Sequence, residues 1–251
     1  MSALRRGCDH LKMDGSSDSR RNMASFRSSA GGPAGFHWFS IAIVSLACLF
    51  LLPPIGAEAQ ESPGGASLSY TKVLKGSIPE YEKVTVNADG AGQYDGRKLT
   101  DAPDPRPFKL TPAVVSKLFD LAASLEDFQN VDLESHKRVA NLGRKTFVYR
   151  KGAEQFQCVF NYTLNRKARE LTNLFEGLAA VENHLATLEY SMKYDHLGLP
   201  RDLTEIQADL DQGALTDPAL LAPDLKEIIQ DSRYLHIAQV RAQRILDQIQ
   251  D

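Results

Sequence analysis

The pattern of apolar and polar positions divides the chain into three regimes. Residues 36–52 form a nearly unbroken apolar run. Between 68 and 162, apolar residues mostly alternate with polar ones, the period-two signature of half-buried strands. Beyond 166 they recur every three or four residues, as on helices with one packed face.

In the alternating region, Leu68, Tyr70 and Val73 predict a first strand, ending at Gly76. Residues 81–86 predict a second, with Val84 and Val86 on one face and Tyr81, Lys83 and Thr85 on the other. Gly76-Ser-Ile-Pro79 suits the hairpin connection between them. A short third piece is expected around Gln93-Tyr94, followed by a proline-rich loop at 101–107. Thr111 is placed to cap a helix with Pro112 at its first position, where the fixed φ of proline fits. Val114, Val115, Leu118, Phe119, Leu121, Ala122 and Leu125 stripe that helix. After a loop at 126–143, a second hairpin joins 146–149 to 156–162. Phe156, Cys158, Phe160 and Tyr162 alternate onto one face, and Gln157 and Asn161 onto the other. That is an antiparallel strand with one covered side.

A long helix is predicted over 166–195, about 45 Å at ~1.5 Å per residue. Leu171, Leu174, Leu178, Val181, Leu185, Leu188 and Met192 form its stripe. Packing on its own sheet and on neighbouring helices is the expected use of that stripe, with a homomeric coiled coil as the alternative. Past Gly198, Leu203, Ile206 and Leu210 predict a short helix, with Asp202 and Glu205 spaced as a capping box. Pro223 opens another helix, and Leu235, Ala238, Ala242, Ile245, Leu246 and Ile249 stripe a last one. Helices this short are marginal alone. They are expected to cover the distal half of the long helix around Leu185, Leu188 and Met192. The expected division is a leader at 1–59, an α+β domain at 67–196 and a helical C-terminal extension at 199–251. Strands arriving in hairpins imply an antiparallel sheet, in ββαββα order, with helices on one face.

The stretch from Leu68 to about Tyr190 resembles the small exported α+β domains of the protealysin-inhibitor (emfourin) type. The likeness lies in residues 70–86, in Leu110-Thr-Pro opening a helix that carries Leu118, and in the 147–162 hairpin before a leucine-rich helix. It implies an inhibitor-like, protein-binding role for about half of the chain. The glycine-rich segment of that family falls near Gly76, where Gly76-Ser-Ile-Pro79 departs from it.

The apolar run at 36–52 follows Arg5, Arg6, Lys12, Arg20, Arg21 and Arg27 and is closed by Pro53-Pro54. Ala57-Glu-Ala59 then supplies a small-x-small cleavage site before Gln60. This reads as an export signal, with Met23 as an alternative start that leaves a shorter basic region. An uncleaved membrane anchor is the rival reading, although the run would span roughly 26 Å against a hydrocarbon core of roughly 30 Å. Either way the main domain is expected outside the cytoplasm, secreted or periplasmic.

Composition narrows the classes further. Six of the 29 Lys/Arg and four of the 32 Asp/Glu fall in 1–59, leaving 23 basic against 28 acidic residues beyond it. A mildly acidic domain without a basic run is a poor nucleic-acid binder. Only Cys158 remains after cleavage, so no internal disulfide can form. The alternation makes it a buried apolar side chain rather than a nucleophile.

His136, His184, His196 and His236 lack the close spacing of paired metal ligands. Gly-x-Ser-x-Gly and phosphate-cradling loops do not occur, and Asp89-Gly-Ala-Gly92 is a turn signal. Carboxylate pairs such as Asp209 and Asp211 fall on solvated helix faces. Asn161-Tyr-Thr163 matches a glycosylation sequon that matters only in a eukaryotic secretory pathway. No catalytic, cofactor or metal residues are assigned. The leading reading is an exported, non-enzymatic module that binds another extracytoplasmic protein, touching membrane only through an uncleaved leader. The alternative is an extracytoplasmic hydrolase that joins distant residues such as Glu182, His184 and Asp195. Mass spectrometry of the mature N-terminus should read Gln60; an intact N-terminus on a soluble cytoplasmic protein would contradict export.

Overall fold

Alternation of side chains is what builds the sheet. In the computed structural model, which describes residues 65–250, strands β1 (Ala66–Val73) and β2 (Tyr81–Asn87) pair antiparallel with Tyr70 opposite Val84 and Leu68 opposite Val86. β3 (Ala91–Arg97) and β4 (Arg106–Lys109) continue the meander on one side, and β5 (Arg144–Lys151) and β6 (Glu154–Phe160) form a hairpin on the other. The six-stranded order is β4-β3-β2-β1-β5-β6, all antiparallel. The export segment and its cleavage site lie outside the described residues.

The fold is α+β, with two more strands than the ββαββα order. The third piece around Gln93-Tyr94 is a full strand, and part of the proline-rich loop is the edge strand β4. Glycine and proline hide both from a pattern reading. Gly92 and Gly96 leave room for the rings of Phe108 and Tyr94, because a Cβ at either site would fall within 2.4 Å of them. Pro107 has no amide to donate, and an edge strand is where a sheet tolerates that.

Two helices cover one face of the sheet. α1 (Pro112–Ala123) contributes Val115, Leu118, Leu121 and Ala122, and α2 (Arg166–Tyr194) contributes Ala168, Leu171, Phe175, Leu178 and Ala179. They meet Leu68, Tyr70, Val84, Val86, Tyr94, Phe147, Cys158 and Phe160 from the strands. Tyr70 stacks on Phe175 at 5.4 Å, and Phe128 on Phe147 at 5.1 Å between ring centroids. Phe128 reaches that position from a 3-10 turn, Glu126–Phe128, whose three residues have φ of 56°, 50° and 69°. Left-handed backbone costs roughly 1–2 kcal/mol per residue, and burial of the Phe128 ring offsets part of that.

The distal half of α2 extends over a second core. Val181 and Leu188 are fully buried there with Leu199, Leu203 and Ile206 of α3 (Leu199–Asp211). Leu225 and Ile228 of α4 (Ala222–Gln230) join them, as do Ala238, Ala242, Ile245 and Leu246 of α5 (His236–Gln250). Leu185 and Met192 pack partly against this cluster. The cores meet where the 214–216 loop presses on α2 at Gly177. A Cβ there would lie 2.4 Å from Thr216 Oγ1 and 2.8 Å from the Ala214 carbonyl oxygen. Alanine is the better helix former by about 1 kcal/mol, yet a methyl at this point would push the loop away.

Two caps differ from the expectation. The Thr111 side chain caps nothing; its amide donates to Asp217 Oδ2 at 2.7 Å, so a buried carboxylate from the tail holds the start of α1. α3 begins at Leu199 rather than after Asp202. Asp202 is therefore inside the helix, 2% exposed, where Ser191 Oγ donates to its Oδ2 and Arg201 to its Oδ1. Pro200 supplies the earlier start, since proline fits the first turn.

Candidate functional site

A hairpin connection is built from few residues, so each must be held by its own hydrogen bonds. In the 74–80 loop the Leu74 amide donates to the Glu80 carbonyl at 2.9 Å and closes the base. Ser77 Oγ contacts the carbonyl oxygens of Leu74 and Pro79, at 2.7 and 2.6 Å. Gly76, with φ of 84°, donates its amide to Glu80 Oε1 at 3.0 Å. The other carboxylate oxygen of Glu80 accepts from the Leu99 amide at 3.2 Å, which fastens the loop to the end of β3. These two amides hold the Glu80 carboxyl below its ordinary range. At the tip of this braced loop Ile78 is 98% exposed.

Beside the loop, on the sheet face opposite the helices, lies a shallow cleft of about 230 Å³. It is lined by Tyr81, Asp95, Arg97, Pro103 and Pro105 among others. The Arg97 guanidinium sits 4.4 Å from the centre of the Tyr81 ring and donates to Asp95 Oδ2 at 3.0 Å. Asp95 is 8% exposed, and its Oδ1 is buried without a partner. A buried carboxylate oxygen left unpaired costs on the order of 1–3 kcal/mol. An exposed apolar knob thus stands on the loop that leads into the strand lining the cleft. The arrangement can seat a partner protein; it holds no nucleophile–base pair.

The residues weighed for chemistry are dispersed. Cys158 is 6% exposed inside the core, where burial pushes its thiol up to about 12. His184 Nε2 lies 2.8 Å from Asp209 Oδ2 on α3. Asp195 closes the turn after α2 by accepting from the Gly198 amide at 3.0 Å. Glu182 faces Arg106 and Glu189 instead. The trio Glu182, His184 and Asp195 is not assembled into one site. His136 pairs with Asp132 at 2.7 Å on the surface, His196 Nε2 lies 2.8 Å from the Met192 carbonyl oxygen, and His236 is exposed at the start of α5. Asn161 spends its amide on Leu142 and Ala140, accepting from one and donating to the other, at 2.7 and 2.9 Å. Gln157 is exposed on the open sheet face. Among the described residues no cluster of three His, Cys, Asp or Glu could hold a metal ion, and no helix is long and apolar enough to cross a membrane.

One acidic group carries more than its sequence context suggests. Glu182 is 3% exposed, and burial pushes its carboxyl up to about 7, against the pull of Arg106. Asp224 on α4 is pushed up to about 6 by the same cause, and its Oδ2 is buried without a partner. Arg106 on β4 bonds Glu189 nearby at 2.5 Å. No family model matches this chain, and no curated protein matches it.

The raised carboxyls predict a pH dependence with a definite sign. A carboxyl whose folded pKa exceeds its unfolded one favours the fold when protonated. That contribution is complete below the ordinary carboxylate range and is lost as pH climbs to about 7 for Glu182 and about 6 for Asp224. Glu182→Gln should be more stable than the parent at pH 8, by on the order of 2 kcal/mol, with the gap closing towards pH 5. Urea unfolding at the two pH values checks this; a pH-independent gap would contradict it.

Proposed function

We propose that this chain is an exported, non-enzymatic module that binds another extracytoplasmic protein through the 74–80 loop and the cleft beside it. The observation that carries the reading is Ile78, almost fully exposed on a loop braced at both ends by Ser77 and Glu80. Scattered surface hydrophobes are ordinary. A large apolar side chain on a preorganised tip differs, because little ordering entropy remains to be lost on binding.

The likeness to protealysin inhibitors makes an inhibitor-like role the specific form of this reading. The partner then offers an apolar pocket for Ile78. Export is supported by the basic start, the apolar run and Ala57-Glu-Ala59.

Capture from the extracytoplasmic fraction on immobilised mature chain tests the binding reading. One protein should be retained by the wild type and lost with Ile78→Asp. A central apolar anchor contributes about 2 kcal/mol, roughly thirtyfold in affinity. The variant should keep its melting temperature, since so exposed a side chain supports nothing in the fold. Identical capture by both proteins, or none by either, would overturn the proposal.

A further inference from the structure

A second cleft, on the helix-covered side, has a different chemistry. It opens between the N-terminal half of α2 and the ends of β1, β5 and β6, with a volume of about 680 Å³. Four cations line it, Lys72, Lys145, Arg166 and Arg169, against two carboxylates, Glu170 and Glu176. Both carboxylates are already engaged. Glu176 takes Lys72 at 3.2 Å and the Tyr70 hydroxyl at 3.0 Å, and Glu170 pairs with Lys117 at 3.4 Å.

Three of the four cations therefore make no direct ion pair among the described residues. Lys145 is 8% exposed, and its ammonium donates to the carbonyl oxygens of Leu142 and Asn161 at 3.0 and 3.3 Å. It forms no ion pair with a carboxylate among the described residues, and one of its three donors remains for the cleft it lines. Taking an ammonium out of water is costly, and burial pulls Lys145 below its ordinary range, against the partly compensating charges of Glu176 and Glu134. Arg166 and Arg169 are exposed at the rim and have no side-chain partner among the described residues. The amides at the start of α2 are not the source of this field, because Asn165 Oδ1 already accepts from those of Lys167 and Ala168.

We propose that this cleft binds the phosphate group of a small phosphorylated ligand, with Lys145 beneath it and Arg166 and Arg169 closing on it from the rim. Guanidinium groups match phosphate with paired donors, and an ammonium adds a point charge. A dianion answers three uncommitted cations better than a single carboxylate does. The cleft is much larger than a phosphate ion, so it has room for an organic remainder.

Titration calorimetry on the mature chain tests this with two probes, inorganic phosphate and glycerol 3-phosphate, at ionic strength matched with sodium chloride. Saturable binding of either probe is expected. It should weaken at least tenfold in the Arg166→Gln/Arg169→Gln variant, whose changes are exposed and spare the fold. Lys226→Gln, exposed on α4 and outside the cleft, should bind as the parent does. Tighter binding of the ester supports the site and assigns an organic phosphate; tighter binding of the inorganic ion supports it and assigns free phosphate. Absence of saturable heat with both probes, or equal binding by the double variant, would overturn the proposal.

Discussion

One helix carries an apolar stripe too long for the sheet it lies on, and the rest of the structure follows from covering it. α2 runs for 29 residues, about 43 Å. Strands of seven or eight residues reach little more than half of that length. Ala168, Leu171, Phe175 and Leu178 are buried on the sheet side, while Val181 and Leu188 are fully buried against the tail. Each buried leucine removed from water contributes roughly 2 kcal/mol. An uncovered distal half would forfeit that and leave an adhesive face. The tail has the complementary need, since α3, α4 and α5 span 13, 9 and 15 residues and are marginal in isolation.

Polar groups fix how the two cores meet. Gly177 lets the 214–216 loop touch the α2 backbone, and Asp217 carries that loop on to the amide at the start of α1. Ser191 and Asp202 tie α2 to α3. Arg106 and Glu189 tie the edge strand β4 to the distal half of α2. Glu182 and Asp224 work against this junction when ionised, because both are buried with little compensating charge. The junction is thus close-packed but electrostatically uneven. By contrast, the 74–80 loop lies away from it and is braced by its own bonds. Changes at its tip can therefore be made without disturbing either core.

Much of the frame was legible because strong periodicity survives tertiary context. The stripe from Leu171 to Met192 placed α2 within one residue of its observed ends. The alternation of Cys158 and Phe160 identified the inner face of β6. β3 and β4 were read short or missed, because Gly92, Gly96 and Pro107 weaken strand signals for reasons of side-chain space and edge position that only pairing reveals. Asp202 matched a capping box by spacing, but Pro200 had already begun the helix and Ser191 supplied a buried partner. The sites were hardly legible. Ile78 looked like a turn residue, and nothing local distinguishes Asp95 or Lys145 from other surface charges. Their burial arises from strand register and from the pairs that neighbours make elsewhere. Glu182 alone left a trace, an acid on the apolar side of a helix beside Val181.

The central claim is that the two cores are one cooperative unit joined by α2. Native-state hydrogen exchange of the mature chain, followed with increasing denaturant, measures it directly. The amides of residues 171–178 and 185–192 should converge on a single opening free energy, shared with the buried amides of α5. Exchange of the distal half of α2 and of α5 at a distinctly lower free energy, with the sheet and the proximal half still protected, would contradict the account.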